Sequence, residues 1–312
     1  MGKVAFVFPG QGAQAVGMGR DIYDADPASR QLFERADQAL RFSLSSIIFE
    51  GPEAELKLTY NTQPALLATS IAYLEQFKAK GVQPDYVAGH SLGEYSALVA
   101  AGVLGFEDAV RTVRARGEFM EQAVPSGQGA MAAVLGAERE ALQTLCADIS
   151  ASAGIVELAN LNCPGQIVVS GSKAGVQALA DRGKEAGAKR VIPLEVSGPF
   201  HSSLMKPASG RLAAALSDLP MRTATVPVVA NVTARPVQQP DEIRSLLVEQ
   251  VHSSVLWEDS VAWLIGQGVD TFVEIGSGTV LAGLIKKIDR AVKVYSINSK
   301  EAIDQFQLEP TV

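Results

Sequence analysis

Cysteine and histidine are scarce in this chain, positive charge is in deficit, and no apolar run is long. Its 312 residues include two cysteines and three histidines. Cys146 and Cys163 match neither a metal-ligand spacing nor a disulfide framework, which points to a reducing, cytoplasmic setting. No apolar run approaches the ~20 residues of a membrane span. Only VAFVF follows the first lysine, too short for the apolar region of a secretory signal. Phe6 stands where a myristoylation signal needs Ser or Thr, so no lipid anchor is expected. The net charge of −7 argues against nucleic acid as the main partner, because phosphate binding needs clustered Lys and Arg. Glycine is plentiful, at 28 residues, and 47% of the chain is hydrophobic. That suits one large globular unit or a core with an inserted smaller one.

Short apolar runs end in glycine turns and lead into helical stretches: KVAFVFPG, DYVAGHSLG, VPVVANV, TFVEIGSG and VKVYSIN. Such runs read as strands buried on both faces, and the helices between them imply an α/β fold with a mostly parallel sheet. From about Gly129 to Glu195 the rhythm changes to β-α-β-β-α-β, the split ferredoxin-like unit. The expected organisation is a discontinuous core, 1–126 and 198–312, with an inserted ferredoxin-like subdomain at 127–197. The final EAIDQFQLEPTV is polar and is expected to be a loose tail.

After the first strand, Gly10-Gln11-Gly12-Ala13-Gln14-Ala15 fits the dinucleotide fingerprint G-x-G-x-x-A. That fingerprint needs a second strand about 20 residues on, ending in an acid for the ribose. Here the stretch is DADPASRQLFERADQAL, whose Leu32, Phe33, Ala36 and Leu40 are spaced as on a helix. The loop therefore calls for a different explanation from nucleotide binding.

Gly89-His90-Ser91-Leu92-Gly93 fits G-x-S-x-G between a buried strand and an almost wholly apolar helix. This is the context of a nucleophile elbow, with the serine on a sharp turn at the top of a sheet. A serine hydroxyl needs a base within hydrogen-bond reach. His90 adjoins Ser91 and points away from it on such a turn. His252 ends the helical stretch DEIRSLLVEQVH, where it complements the helix dipole. His201 lies in the Gly-Pro loop EVSGPFHSSLMKP, returning to the core, and is the expected base.

The helical stretch FEDAVRTVRARGEFMEQA carries three arginines. At ~100° per residue, Phe106, Ala109, Val110, Val113 and Met120 share one face. Arg111 projects opposite, Arg114 to the side, and Arg116 lies at the edge of the apolar arc. A partly buried arginine needs an anionic partner or many acceptors.

Together FPGQGAQ, GHSLGEYSALVAAG, NTQPALL, RGEFM, NCPGQIVVSG, GPFHSSLMKPA and EIGSGTVLAGLIK, in this order over nearly the whole chain, resemble the malonyl-CoA:acyl-carrier-protein transacylase family. The resemblance implies an α/β-hydrolase-like core with a ferredoxin-like insert. It implies Ser91 as nucleophile, His201 as base, and the main-chain N–H groups of Gln11 and Leu92 as oxyanion hole. The ordinary hydrolase order of serine, acid, histidine is missing; the family orients its histidine through a main-chain carbonyl, which maps onto Gln250. Its malonate-binding arginine precedes the glycine of this helix and is Arg116 here.

Gln63 and Asn162, with Asn231, are expected along a pantetheine channel, although each also suits a turn residue bonding its own backbone. In related polyketide domains an aromatic at the position of Phe200 accompanies malonyl choice and a serine accompanies methylmalonyl, while simple fatty-acid transacylases carry serine and still prefer malonate. The implied function is transfer of malonyl from malonyl-CoA to holo-acyl carrier protein, with no metal and no cofactor, by a cytoplasmic monomer. Malonyl supply to a polyketide assembly line, a serine esterase or thioesterase, and a non-catalytic scaffold are the alternatives. Lys189 with Arg190, and Lys286, Lys287 and Arg290, are the basic clusters open to an acidic carrier protein.

Overall fold

The computed structural model describes residues 2–125 and 127–308. In chain order the strands are β1 (Lys3–Phe8), β2 (Tyr86–Gly89), β3 (Gly129–Leu135), β4 (Val156–Cys163), β5 (Gln166–Ser172), β6 (Arg190–Pro193), β7 (Val228–Ala230), β8 (Arg235–Val237), β9 (Val269–Ile275) and β10 (Lys293–Ile297). One sheet has the order β10-β9-β1-β2-β7-β8. It is parallel except for β8, which returns antiparallel to β7. Its central strands carry few polar residues because helices cover both faces; in β1 every residue after Lys3 is buried.

The second sheet, order β4-β5-β3-β6, is antiparallel throughout. Its helices, Arg139–Ser152 and Lys173–Arg182, pack on one face through Leu142, Leu145, Ile149, Val176 and Leu179. The opposite face sends Met131, Ala159 and Val168 into the core of the larger unit. Edge strand β4 does not lie open. Leu161 N–H donates to Val255 O (2.9 Å) and Val255 N–H to Ala159 O (2.8 Å), joining the small sheet to the core.

The helix Thr59–Phe77 is buried on nearly all sides. It packs mainly on the helix Phe106–Gln122, on Pro27–Leu40 and on Leu92–Ala100. Such a helix belongs in an interior; it mixes apolar residues with small or hydrogen-bonded polar ones, and its first turns hold Gln63 next to Arg116.

Two expectations fail. The stretch Lys300–Gln305 is a helix, not a loose tail; Ser299 caps it by accepting from Ala302 N–H at 3.0 Å. Ile303 and Phe306 are buried, Phe306 edge-on to Phe77 with centroids 4.8 Å apart. Residues 309–312 of the expected tail lie outside the described residues. The helix expected to end at His252 stops at Gln250.

Because β1, β2, β7 and β9 run parallel, their carboxyl ends share one edge of the sheet, where ligand crevices form in open α/β sheets. The Gly10–Gly12 loop, the serine turn, Asn231 and the loop after Glu274 all start there. Close packing at this edge demands glycine: a Cβ on Gly93 would lie 2.1 Å from Phe8 O. Gly93→Ala should therefore lower the thermal midpoint by at least about 5 °C. Gly210→Ala, where no atom lies within 4 Å of the added carbon, should leave it unchanged or raise it by about 1–2 °C, since alanine outranks glycine in helices. Equal midpoints in calorimetry for Gly93→Ala and wild type would mean that the edge relaxes.

Candidate active site

Ser91 follows β2 in a left-handed backbone conformation, φ 51°, that a side chain rarely adopts. The turn is held from below. Asn231, just past β7, accepts from Ser91 N–H at 2.8 Å and donates to Gly89 O at 2.7 Å. Ser91 then caps the helix Leu92–Ala100, whose positive end faces any charge forming beside the serine.

His201 is also left-handed, φ 58°, and 4% exposed. Its loop is tied on both sides: Ser202 Oγ donates to Pro199 O (2.6 Å), and Ser203 N–H donates to Glu157 Oε2 on β4 (2.6 Å). His201 Nδ1 lies 2.9 Å from Gln250 O, and Nε2 lies 2.7 Å from Ser91 Oγ. A carbonyl only accepts, so Nδ1 carries the proton and Nε2 is free to take one from serine. Gln250 ends its helix, where the last carbonyls have no intrahelical donor, so its oxygen is available to the imidazole. Burial, then the nearby Arg116 charge, pushes the imidazole well below the usual histidine range, keeping it neutral.

Arg116 is 1% exposed. Its Nη1 donates to Gln63 Oε1 (2.7 Å), and its Nη2 to Gln250 Oε1 (3.0 Å) and Ser91 Oγ (3.1 Å). The Tyr95 ring lies beneath it, 5.5 Å to the centroid. No carboxylate forms an ion pair with it among the described residues, whereas Arg111 and Arg114 pair with Asp108 and Glu118 nearer the surface. A buried cation supported only by neutral acceptors is a receptor for an anion.

Ser91, His201, Arg116, Gln63, Gln11, Leu92 and Phe200 line one cavity of about 100 Å³, with Met120, Met131, Leu194 and Val196 as its apolar wall. Among the described residues neither Gln11 nor Leu92 N–H donates to a protein acceptor. A Cβ on Gly10 would lie 2.3 Å from His90 O, so glycine is what lets the Gln11 loop close on the serine turn. A larger cleft of about 600 Å³ touches the far side of His201 and is lined by Arg139, Lys206 and His252, but Ser91 and Arg116 are not in its walls. Of the two, the smaller cavity is the one that brings Ser91, His201 and Arg116 together.

Of the three expected channel residues, Asn231 and Asn162 lie outside the cavity lining and Gln63 is in it. Asn231 is buried under the elbow. Gln63 lines the cavity, but its carbonyl is taken by Arg116. Asn162 Oδ1 accepts from His90 Nε2–H at 2.8 Å, and Asn162 does not line the cavity. Asn160 does, because register shifts around Leu158/Asn160 and Leu161/Cys163 turn the strand there. Glu94, a lone acid in the apolar LGEYSALVA, also belongs to this site, buried behind Gln250; no motif in the sequence marks it. Among the described residues no group of three or more His, Cys, Asp or Glu could hold a metal, and no helix is long and apolar enough to cross a membrane.

The family model for the acyl transferase domain matches residues 5–307. A malonyl CoA-acyl carrier protein transacylase of Bacillus subtilis (strain 168) is 55% identical over 304 residues, covering 97% of this chain and 96% of that one. A malonyl CoA-acyl carrier protein transacylase of Staphylococcus aureus (strain MRSA252) is 50% identical, covering 97% and 98%. The crystal structure of an acyl carrier protein S-malonyltransferase from Vibrio cholerae superposes with a TM-score of 0.94 at 43% identity, covering 97% and 99%. A structure of a type II PKS acyl-carrier protein in complex with its malonyl-transacylase gives a TM-score of 0.94 at 42% identity, covering 97% and 98%.

Proposed function

Because the chain belongs to the acyl transferase family, we propose that it moves malonyl from malonyl-CoA to the phosphopantetheine thiol of holo-acyl carrier protein, in fatty-acid synthesis in the cytoplasm. The observation that carries the malonyl assignment is Arg116, buried, without an ion pair among the described residues, and with Nη2 3.1 Å from Ser91 Oγ. In a malonyl thioester the free carboxylate sits two bonds from the reacting carbonyl, so its cation must stand beside the nucleophile. A planar guanidinium suits a carboxylate bidentately.

The reaction runs as two displacements. Ser91 Oγ passes its proton to His201 Nε2 and attacks the thioester carbonyl. The N–H groups of Gln11 and Leu92 hold the oxyanion, as preorganised donors that need no rearrangement. Collapse expels CoA, which leaves as thiol with the proton from His201. The carrier's thiol then gives a proton to His201, attacks malonyl-Ser91, and returns serine to its starting form. Ester and thioester exchange without electron transfer, so the chemistry calls for no redox cofactor, and the oxyanion donors polarise the carbonyl without a metal. The Gln250 carbonyl orients the imidazole and, at a helix C-terminus, carries partial negative charge that favours the imidazolium. Gln63 positions Arg116, and Asn162 positions His90. In this reading residues 1–126 and 198–312 form the catalytic core and 127–197 the inserted subdomain. A second reading, service to a polyketide carrier, draws support from the neighbour solved with a PKS carrier protein.

Ser91→Ala should abolish the one-malonyl mass increase of the intact protein on mixing with malonyl-CoA. Arg116→Ala should lower kcat/KM for malonyl-CoA by at least about 30-fold more than for acetyl-CoA, since losing one partner of a buried charge pair costs ~2–5 kcal/mol. An equal fall for both substrates would make Arg116 structural.

Phe200 is 5% exposed on the cavity wall, and in this reading its ring fills the space that a methyl branch on the α-carbon would need. Wild type should prefer malonyl- over methylmalonyl-CoA, and Phe200→Ser should narrow the preference several-fold, one methylene being worth ~1–3 kcal/mol. Competing both esters and weighing the acyl-enzymes tests this; an unchanged ratio in a folded variant assigns the choice to other residues.

For the acidic carrier, two basic clusters adjoin. Leu135 pairs with Gln166 on one side and Arg190 on the other, and Lys287 Nζ donates to Gln166 Oε1 at 2.9 Å. Lys286 is instead committed to the carbonyls of Arg290 and Val292. Lys287→Glu with Arg190→Glu should raise KM for carrier protein several-fold and leave KM for malonyl-CoA alone. Transfer rates indifferent to both reversals and to added salt would place docking elsewhere.

A further inference from the structure

Nearly every residue of the helix Leu92–Ala100 is apolar or small except Glu94, which is 2% exposed. A carboxylate taken out of water needs donors. Glu94 Oε2 has two: Asn231 N–H at 3.0 Å and Gln250 Nε2 at 2.9 Å. Among the described residues no lysine or arginine forms an ion pair with it. The cation nearest in effect is Arg116, which reaches it through one side chain. Arg116 Nη2 donates to Gln250 Oε1, and Nε2 of the same amide donates to Glu94.

This fixes Gln250. A carboxylate only accepts and a guanidinium only donates, so the amide has one orientation between them. Its Nε2 also lies 3.1 Å from Ser91 O, while its main-chain oxygen takes His201 Nδ1 at 2.9 Å. Glu94 is therefore one residue removed from the histidine, the arginine and the serine at once.

We propose that Glu94 is a positioning residue for acyl transfer, a buried counter-ion that acts through Gln250 to hold Arg116 and His201. Ordinary serine-histidine-acid sites set the acid directly on the imidazole; here the negative charge stands behind the residue whose carbonyl does that work. Glu94 stabilises the imidazolium at longer range and balances the Arg116 charge while the malonyl carboxylate is absent.

The pH dependence has a definite sign. The titratable and charged groups of this site are Tyr95 on the same helix, Arg116 on the helix Phe106–Gln122, His201 in its loop and His90 in the elbow. Burial raises Tyr95 and lowers both histidines, so all three stay neutral around neutral pH. Burial raises Glu94 to about 7, against the pull of its two hydrogen bonds and Arg116. As pH falls through that value Glu94 takes up a proton, Gln250 loses its anionic anchor, and acylation slows.

The proposal rests on the acyl-transfer reading above, and the test separates the two. Acyl-enzyme formation is followed by rapid quench and intact mass in wild type, Glu94→Gln and Glu94→Asp, with malonyl-CoA and acetyl-CoA, from about pH 5.5 to about pH 9. Wild type should lose rate on an acid limb near pH 7. Glu94→Gln should acylate about 10–100-fold more slowly at high pH, with the larger loss for malonyl-CoA, and should lack that limb. Glu94→Asp, still an acid but a methylene shorter, should keep a limb at a shifted pH. A Glu94→Gln profile matching wild type in rate and limb overturns the proposal and leaves the acyl-transfer reading standing. Should Glu94→Gln not fold, a wild type without an acid limb near pH 7, or one unmoved in Glu94→Asp, overturns it equally. Absence of any acyl-enzyme in wild type overturns the function and this inference together.

Discussion

A buried guanidinium that pairs with no carboxylate among the described residues governs the arrangement of this site. Arg116 is held by two glutamine carbonyls and a serine hydroxyl. Neutral acceptors satisfy its hydrogen bonds, and Glu94, one residue behind Gln250, offsets its charge only from a distance, so the cavity side of the guanidinium stays positive. Burial first, and then that positive field, depresses the basicity of His201, whose Nε2 shares Ser91 Oγ with the arginine. An arriving carboxylate would neutralise it, raising the histidine's readiness to take a proton when the correct substrate is bound. In the proposed reaction, substrate choice and base strength are thus coupled through one side chain.

The proposed nucleophile and base share a backbone feature. Ser91 and His201 both adopt left-handed conformations, which cost roughly 1–3 kcal/mol each for a residue with a side chain. The surroundings over-determine them. Asn231 bridges the serine turn, Gly93 packs against Phe8, and the histidine loop is tied to the small sheet through Glu157 and to a helix end through Gln250. The β4 edge, bonded to Val255, makes the inserted unit part of this support, so the histidine is positioned by both sheets.

Much of this was legible in the chain. The apolar runs, their glycine turns and the change of rhythm near Gly129 disclose both sheets, because strands buried on two faces leave a composition signal. G-x-S-x-G between strand and helix singles out Ser91, since only a sharp, glycine-relieved turn tolerates that context. Helical spacing alone ranks Arg116 as the most inward of three arginines. The Lys300–Gln305 helix was not legible, because six residues with a single buried isoleucine carry too little periodicity.

What only the tertiary structure decided are the relations between distant segments. Asn160, rather than Asn162, lines the cavity because strand irregularities reset an alternation that sequence takes as regular. Asn231 and Gln63 look like turn or channel residues and are braces, since what an amide bonds to depends on which chains surround it. Glu94 stands out as a lone acid in an apolar helix, but its link to His201 runs through a glutamine 156 positions away. Periodicity and turn chemistry are local and therefore written in the sequence. Hydrogen-bond partners across the interior are settled only when the sheets close, because the cost of leaving a buried polar group unpaired is a property of the packed site.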